Sequence, residues 1–95
     1  MKVVFKKSTN PNKKYMAIFY DDTKKVKTTH FGAAGMSDYT KHRDKARKQR
    51  YLNRHQANEN WSDYKSAGSL SRYILWNKPT LKESKEDYKR RFRLE

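Results

Sequence analysis

Between Lys41 and Arg54 the chain places Lys41, Arg43, Lys45, Arg47, Lys48, Arg50 and Arg54, with Asp44 as the only acid among them. Read as one helix at about 100° per residue, Arg43, Arg47, Arg50 and Arg54 share one side, and Lys41, Lys45 and Lys48 share the opposite one. The separation matters chemically. A guanidinium is a rigid fork that bonds a phosphate, or the edge of a guanine, through two donors; an ammonium is a point charge. Four arginines at spacings of four, three and four residues cover about 16 Å of helix at a rise of ~1.5 Å per residue. That length suits a helix lying in or along a nucleic-acid groove. A helix built only for solubility would mix both signs and gain pairs four residues apart. The arginine side is therefore expected to face a ligand. The side with Tyr51, Leu52 and His55 is expected to face the core, with lysine stems covering apolar surface.

Two further basic groups extend this footprint. Lys24, Lys25 and Lys27 fall near a turn and are placed to reach a backbone phosphate. Lys89, Arg90, Arg91 and Arg93 close the last helical stretch, where the helix dipole alone favours cations. The charge is not confined to a tail. Residues 1–36 carry 8 basic and 2 acidic side chains, residues 37–60 carry 7 and 3, and residues 61–95 carry 9 and 5. The net charge of +14 on 95 residues repels itself, a cost that goes with a polyanionic partner.

Other chemistry lacks a constellation. His30, His42 and His55 are the only histidines, and none forms a ligand pair at a recognisable spacing with another histidine or a carboxylate. Asp21 and Asp22 sit in a turn cluster, an ordinary place for aspartate. Gly32-Ala33-Ala34-Gly35 lacks the rest of any phosphate-cradling motif, and Gly68-Ser69-Leu70-Ser71 is not a nucleophile elbow. The reading is of a non-enzyme, with no catalytic residue, no metal site, no cofactor and no small-molecule substrate.

Composition bounds the class. The apolar fraction is 34%, but aromatic residues make up 14%, and aromatics bury large areas. That argues for one small folded domain over residues 1–95, not a disordered basic tail. There is no cysteine, so no disulfide framework. No apolar run is long enough to cross a membrane, and MKVVFKK does not read as a secretory signal. An intracellular protein with no membrane partner is expected.

The elements that must position the cations are legible as an α+β pattern: an N-terminal three-stranded antiparallel meander followed by three helices. Lys2 to Lys6, Lys14 to Tyr20 and Lys25 to Phe31 read as strands, separated by turn clusters at residues 8–12 and 21–24. In the second, Tyr15, Ala17 and Phe19 alternate with Met16, Ile18 and Tyr20, so both faces are apolar, as in a central strand. Ser37 or Thr40 can cap a basic helix running to about Asn58. A second helix is expected over roughly Ser69 to Asn77, ended by Pro79. Thr80 and Glu83 form a capping box for a third, from Leu81 to about Phe92.

The segment GSLSRYILWNKPTL, Gly68 to Leu81, is the most apolar in the chain. Leu70, Tyr73 and Ile74 share a helical face, and Leu81, Tyr88 and Phe92 line the next helix. Two such faces meeting at the Asn77-Lys78-Pro79 corner make a core against the sheet. Trp76 falls off that face and stays open between core and contact roles.

SAGSLSRYILWNKPTLKESKEDYKRRF, with FGAAGMSDYTKHRDKARKQRYLNRH before it, resembles an uncharacterised family of small basic proteins encoded by large DNA viruses of algae and other protists. The resemblance runs from Tyr15 to Phe92 and brings no catalytic residues. It implies a viral setting: the infected cell, at its replication site or nucleus, or the virion. Two functions follow. One is a nucleic-acid-binding protein of little sequence specificity, acting on a viral genome or its transcripts, with DNA favoured over RNA and with Tyr39 or Trp61 available to stack on unpaired bases. The other is a minor virion or capsid component that binds acidic surfaces of viral structural proteins through anchors such as Trp61, Tyr64 or Trp76.

Overall fold

A computed structural model describes residues 1–95. Strands β1 (Lys2–Lys7), β2 (Lys13–Asp21) and β3 (Lys24–Ala33) form one antiparallel sheet in the order β1-β2-β3. The meander expected from the apolar alternation is present, with β2 in the centre. Its turns use the residues that suit them. In the first, Ser8 Oγ accepts from the Asn10 amide and Asn10 Oδ1 from the Asn12 amide, both at 2.9 Å. In the second, Asp22 takes the left-handed conformation at φ 58°.

The helical half follows. Helices α1 (Tyr39–His42), α2 (Lys45–His55), α3 (Ala67–Leu70) and α4 (Leu81–Phe92) come in chain order. Helix α3 continues without a break into a π-helical turn, Ser71–Leu75. The class is the α+β arrangement expected, with helices packed on one face of the sheet. Val3, Ala17, Phe19 and Phe31 from that face meet Leu70, Ile74, Leu75 and Tyr88 in a single buried cluster closed by Leu94. Aromatic edges finish it: Phe5 meets Tyr88 at 5.8 Å between ring centroids, and Phe19 meets Tyr64 at 5.9 Å.

Three expectations about helices need correction. The basic helix is not continuous. Arg43 sits at φ 53°, in the left-handed region, and its amide closes α1 onto Tyr39 O at 2.9 Å. Asp44 then caps α2, its Oδ1 accepting from the amides of Ala46 and Arg47. The cap of α1 is Asp38, not Ser37 or Thr40. Helix α2 also ends at His55, short of Asn58.

The apolar segment departs too. The second helix begins at Ala67 and ends at Leu75, and its last turn is wide: the Trp76 amide reaches Ser71 O, five residues back, at 3.1 Å. The widening carries Leu75 to the buried side with Leu70 and Ile74 and leaves Trp76 facing α2. Leu75 Cδ1 lies 2.7 Å from where a Cβ on Gly32 would stand, so this packing needs a bare backbone on β3. Thr80 caps α4 as expected, its Oγ1 accepting from the Glu83 amide at 3.2 Å, but the reciprocal bond of a capping box goes to the hydroxyl and not to the Thr80 amide: Oγ1 donates to Glu83 Oε1 at 2.9 Å.

Candidate nucleic-acid interface

Helix α2 is fastened along one side. Tyr51 is buried and stacks face to face on Trp76, with centroids 4.3 Å apart and planes within 4°. His55 covers Tyr51 at 4.2 Å, and His42 of α1 lies 5.3 Å from Trp76. Burial, followed by the nearby Glu59 carboxylate, pushes the Tyr51 hydroxyl up to about 12. Lys48 joins this side. Its Nζ donates to Asn77 O at 2.7 Å and lies 5.0 Å from the Tyr39 ring centre. Burial and the charges of Arg72, Lys78 and Lys45 hold the Lys48 ammonium below the ordinary lysine range. The expectation of lysine on the inward side therefore holds for Lys48, which is spent on structure, while Lys45 and Lys41 are exposed.

With that side anchored, Arg47, Arg50 and Arg54 stand in solvent. At 3.6 residues per turn they fall within an arc of about 60°. None joins an ion pair, because the acids that pair are Asp38, Glu59 and Asp87. Asp44, the one acid nearby, is occupied as the cap, and the Arg47 amide lowers its affinity for a proton. Arg43 is exposed but not aligned with the other three, since the left-handed residue turns the chain before α2 begins.

The remaining expected cations are not all brought together. The pairing register sets Lys25 opposite Tyr20, and Tyr20 opposite Lys2; Val3 bonds the C-terminal Glu95. The hairpin Lys24, Lys25 and Lys27 thus share one end of the sheet with the chain termini and Arg93. Helices α1 and α2 follow Ala33 at the other end, and eight residues of β3 at ~3.3 Å each separate Lys25 from Ala33 by about 26 Å. Arg90 and Arg91 are engaged with Asp87 at 3.5 and 3.4 Å, and Lys89 is half-buried. Burial resists ionisation of Asp87, but the Asn77 amide and the Arg91 and Arg90 guanidiniums outweigh it and hold the carboxyl below the usual range.

Cations that were not anticipated occupy more telling places. Lys14 pairs with the buried Asp38 at 2.6 Å, tying β2 to the cap of α1, where Asp38 also accepts from the Thr40 amide and hydroxyl. Arg72 lies over the rings of Tyr73 and Trp61, 4.8 and 5.2 Å from their centres, and its Nε and Nη1 are buried without a hydrogen-bond partner. Burial holds it below the ordinary arginine range. Only the alternation of Lys13-Lys14 before an apolar strand, and the aromatic neighbours of Arg72, hinted at these roles. The expected aromatic contacts shift as well. Tyr39 is buried and cannot stack on a base; Trp61 is half-buried, with Nε1 donating to Glu59 at 3.0 Å. Trp76, left open between roles, is the partner of Tyr51.

The chain belongs to the family described as Family of unknown function (DUF5754), whose model matches residues 3–55, more than half of the chain. The match takes in the sheet except Lys2, with α1 and α2, and ends at the last residue of α2. Neither curated proteins nor solved structures give a match.

Proposed function

We propose that this member of the family is a small basic nucleic-acid-binding protein of little sequence specificity that lays α2 against a phosphate backbone through Arg47, Arg50 and Arg54. The observation that carries the reading is the three-arginine arc, exposed and unpaired, on a helix whose adjoining side is fixed by Tyr51, Trp76 and Lys48. A rigid element that carries the guanidiniums spares the cost of ordering the backbone when they meet phosphates. Backbone contacts of this kind give affinity and orientation without sequence choice. Lys41 on α1, Arg43 at its end, and Lys45 widen the field around the arc. The resemblance to proteins of large DNA viruses favours DNA, a viral genome before its transcripts, and a site of action in the infected cell or the virion.

A virion component bound to acidic protein surfaces draws less support. Its candidate anchors are engaged within the chain: Trp76 with Tyr51, Trp61 with Glu59 and Arg72, Tyr64 with Phe19 and Phe92.

Fluorescence anisotropy with labelled duplex DNA, single strands and RNA, repeated across salt, tests the proposal. Binding is expected to weaken steeply with salt. Replacing Arg47, Arg50 and Arg54 by alanine is expected to flatten the log–log slope on duplex DNA by about 2.7, three phosphate contacts at ~0.9 each. An unchanged slope removes α2 from the interface.

A further inference from the structure

A cleft of about 410 Å³ opens beside the arginine arc, between the Ala33 end of the sheet, α2 and the start of α3. Its floor is apolar: Phe31, Leu75 and Trp76, with the bare backbone of Gly32. Its wall carries an oriented polar pair. His55 Nδ1 lies 3.2 Å from Glu59 Oε1, and Glu59 Oε2 accepts from Trp61 Nε1 at 3.0 Å. The Nδ1 that faces the carboxylate donates to it, which leaves His55 Nε2 for a second hydrogen bond. Gly68 makes room for this pair, since a Cβ there would stand 2.6 Å from Glu59 Oε2. Cations sit in the lining as well. Lys14 is spent on Asp38, but Lys13 and Arg54 are exposed, and Arg54 belongs to the arc on α2.

We infer that this cleft receives one unpaired nucleotide of a single strand whose flanking phosphates lie on the α2 arginines. The inference rests on the proposed function above and gives the same surface a preferred substrate form. The volume is at the small end of ligand sites, enough for a ring and a sugar and too little for a folded peptide segment. The apolar part of the lining, with the half-buried Trp76, takes a base out of water. His55 Nε2 and the Ser71 hydroxyl, both in the lining, meet a base edge. The neighbouring Arg54 and Lys13 meet the phosphate that a base necessarily brings with it. A base inside a duplex is stacked and paired and does not enter.

The test compares two single strands of equal charge, an oligothymidylate and an abasic strand of the same length, by fluorescence anisotropy at one salt concentration. The natural chain is expected to prefer the strand with bases by about tenfold, the scale of one well-seated base. Ala67→Trp and Ala33→Leu fill the cleft from exposed positions on different elements, and circular dichroism checks their folding. Each is expected to abolish the preference while keeping the affinity for the abasic strand. The Arg47, Arg50 and Arg54 triple alanine variant is expected to weaken both strands equally. Equal affinity of the natural chain for the two strands overturns the inference, as does a preference that survives in both filled variants. Should the preference fail while the triple variant still weakens binding, the cleft is wrong and the α2 interface stands. A chain that binds neither strand loses the cleft, and one that binds no duplex DNA either loses the α2 interface as well. Thymidine monophosphate, run as a competitor, separates a free nucleotide from a strand: displacement at the strand's own concentration assigns the cleft to free nucleotides and overturns the strand reading.

Discussion

Tyr51 and Trp76 stack with their ring planes within 4° of parallel, and this contact joins the basic helix to the core. Trp76 reaches it because the π-helical turn ends at Leu75 and points the next residue away from the buried side. Tyr51 reaches it because α2 starts at Lys45, which turns Lys48, Tyr51 and His55 inward together. Position and outward display of the arginines thus have one cause.

The stack predicts local coupling. Tyr51→Leu and Trp76→Leu should each destabilise the protein, and the double variant should cost less than the sum by about 1 kcal/mol, the usual scale of an aromatic pair. Hydrogen exchange should show the loss first in the amides of α2. Additive effects spread evenly over the chain would count against an anchoring role.

Arg43 offers a test with a sign. In a continuous helix, Arg43→Gly would destabilise by up to about 1 kcal/mol. At φ 53° glycine relieves the left-handed penalty, and the variant should instead gain ~1 kcal/mol, or roughly 4–8 °C in melting temperature.

Asp38 and Lys14 have side-chain exposures of 2% and 9%, so neither charge can retreat into water when its partner is removed. Asp38→Ala should cost about 3–5 kcal/mol, because it strands the lysine and removes the cap of α1. Asp38→Ala with Lys14→Met should recover part of that loss. Chemical denaturation of the natural chain and the two variants measures it.

Asp87 sets a pH dependence. Its carboxyl is held below its ordinary value in the folded chain, so its contribution is complete above the unfolded carboxylate range, near pH 4. It is lost as pH falls through the lower folded value. Asp87→Asn should be less stable at pH 7, and its melting temperature should fall less as the pH drops below about 4, the unfolded carboxylate value. An unaltered acid limb would mean that the Asn77 and arginine contacts do not favour the carboxylate.

The sheet was legible because its signals are local. Tyr15 to Tyr20 alternate across a strand apolar on both faces, and Asn10, Pro11 and Asp22 mark turns by their own backbone preferences. Thr80 and Glu83 announced α4 for the same reason. The break before α2 was hidden because neither glycine nor proline stands there. Arg43 takes a left-handed conformation that its type does not advertise, and Asp44 looked like a lone acid in a basic run rather than a cap. Among the cations, type and spacing singled out Arg43, Arg47, Arg50 and Arg54, of which only the last three lie on α2. They could not show that Lys48 is spent on Asn77, that Lys14 is buried against Asp38, or that Arg72 is enclosed by Tyr73 and Trp61. Each of those depends on a partner at least eleven residues away, except the Tyr73 contact, and no spacing rule reaches that far.

The central claim is that α2, and not positive charge in general, makes the interface. Two triple variants remove equal charge from opposite ends of the sheet: Arg47, Arg50 and Arg54 to alanine, and Lys24, Lys25 and Lys27 to alanine. The deciding measurement is the salt dependence of each variant's affinity for duplex DNA, beside that of the natural chain. The account predicts that the α2 variant loses about 2.7 from the slope and the hairpin variant loses well under 1. Equal losses in the two would contradict it and leave only diffuse attraction between a basic chain and a polyanion.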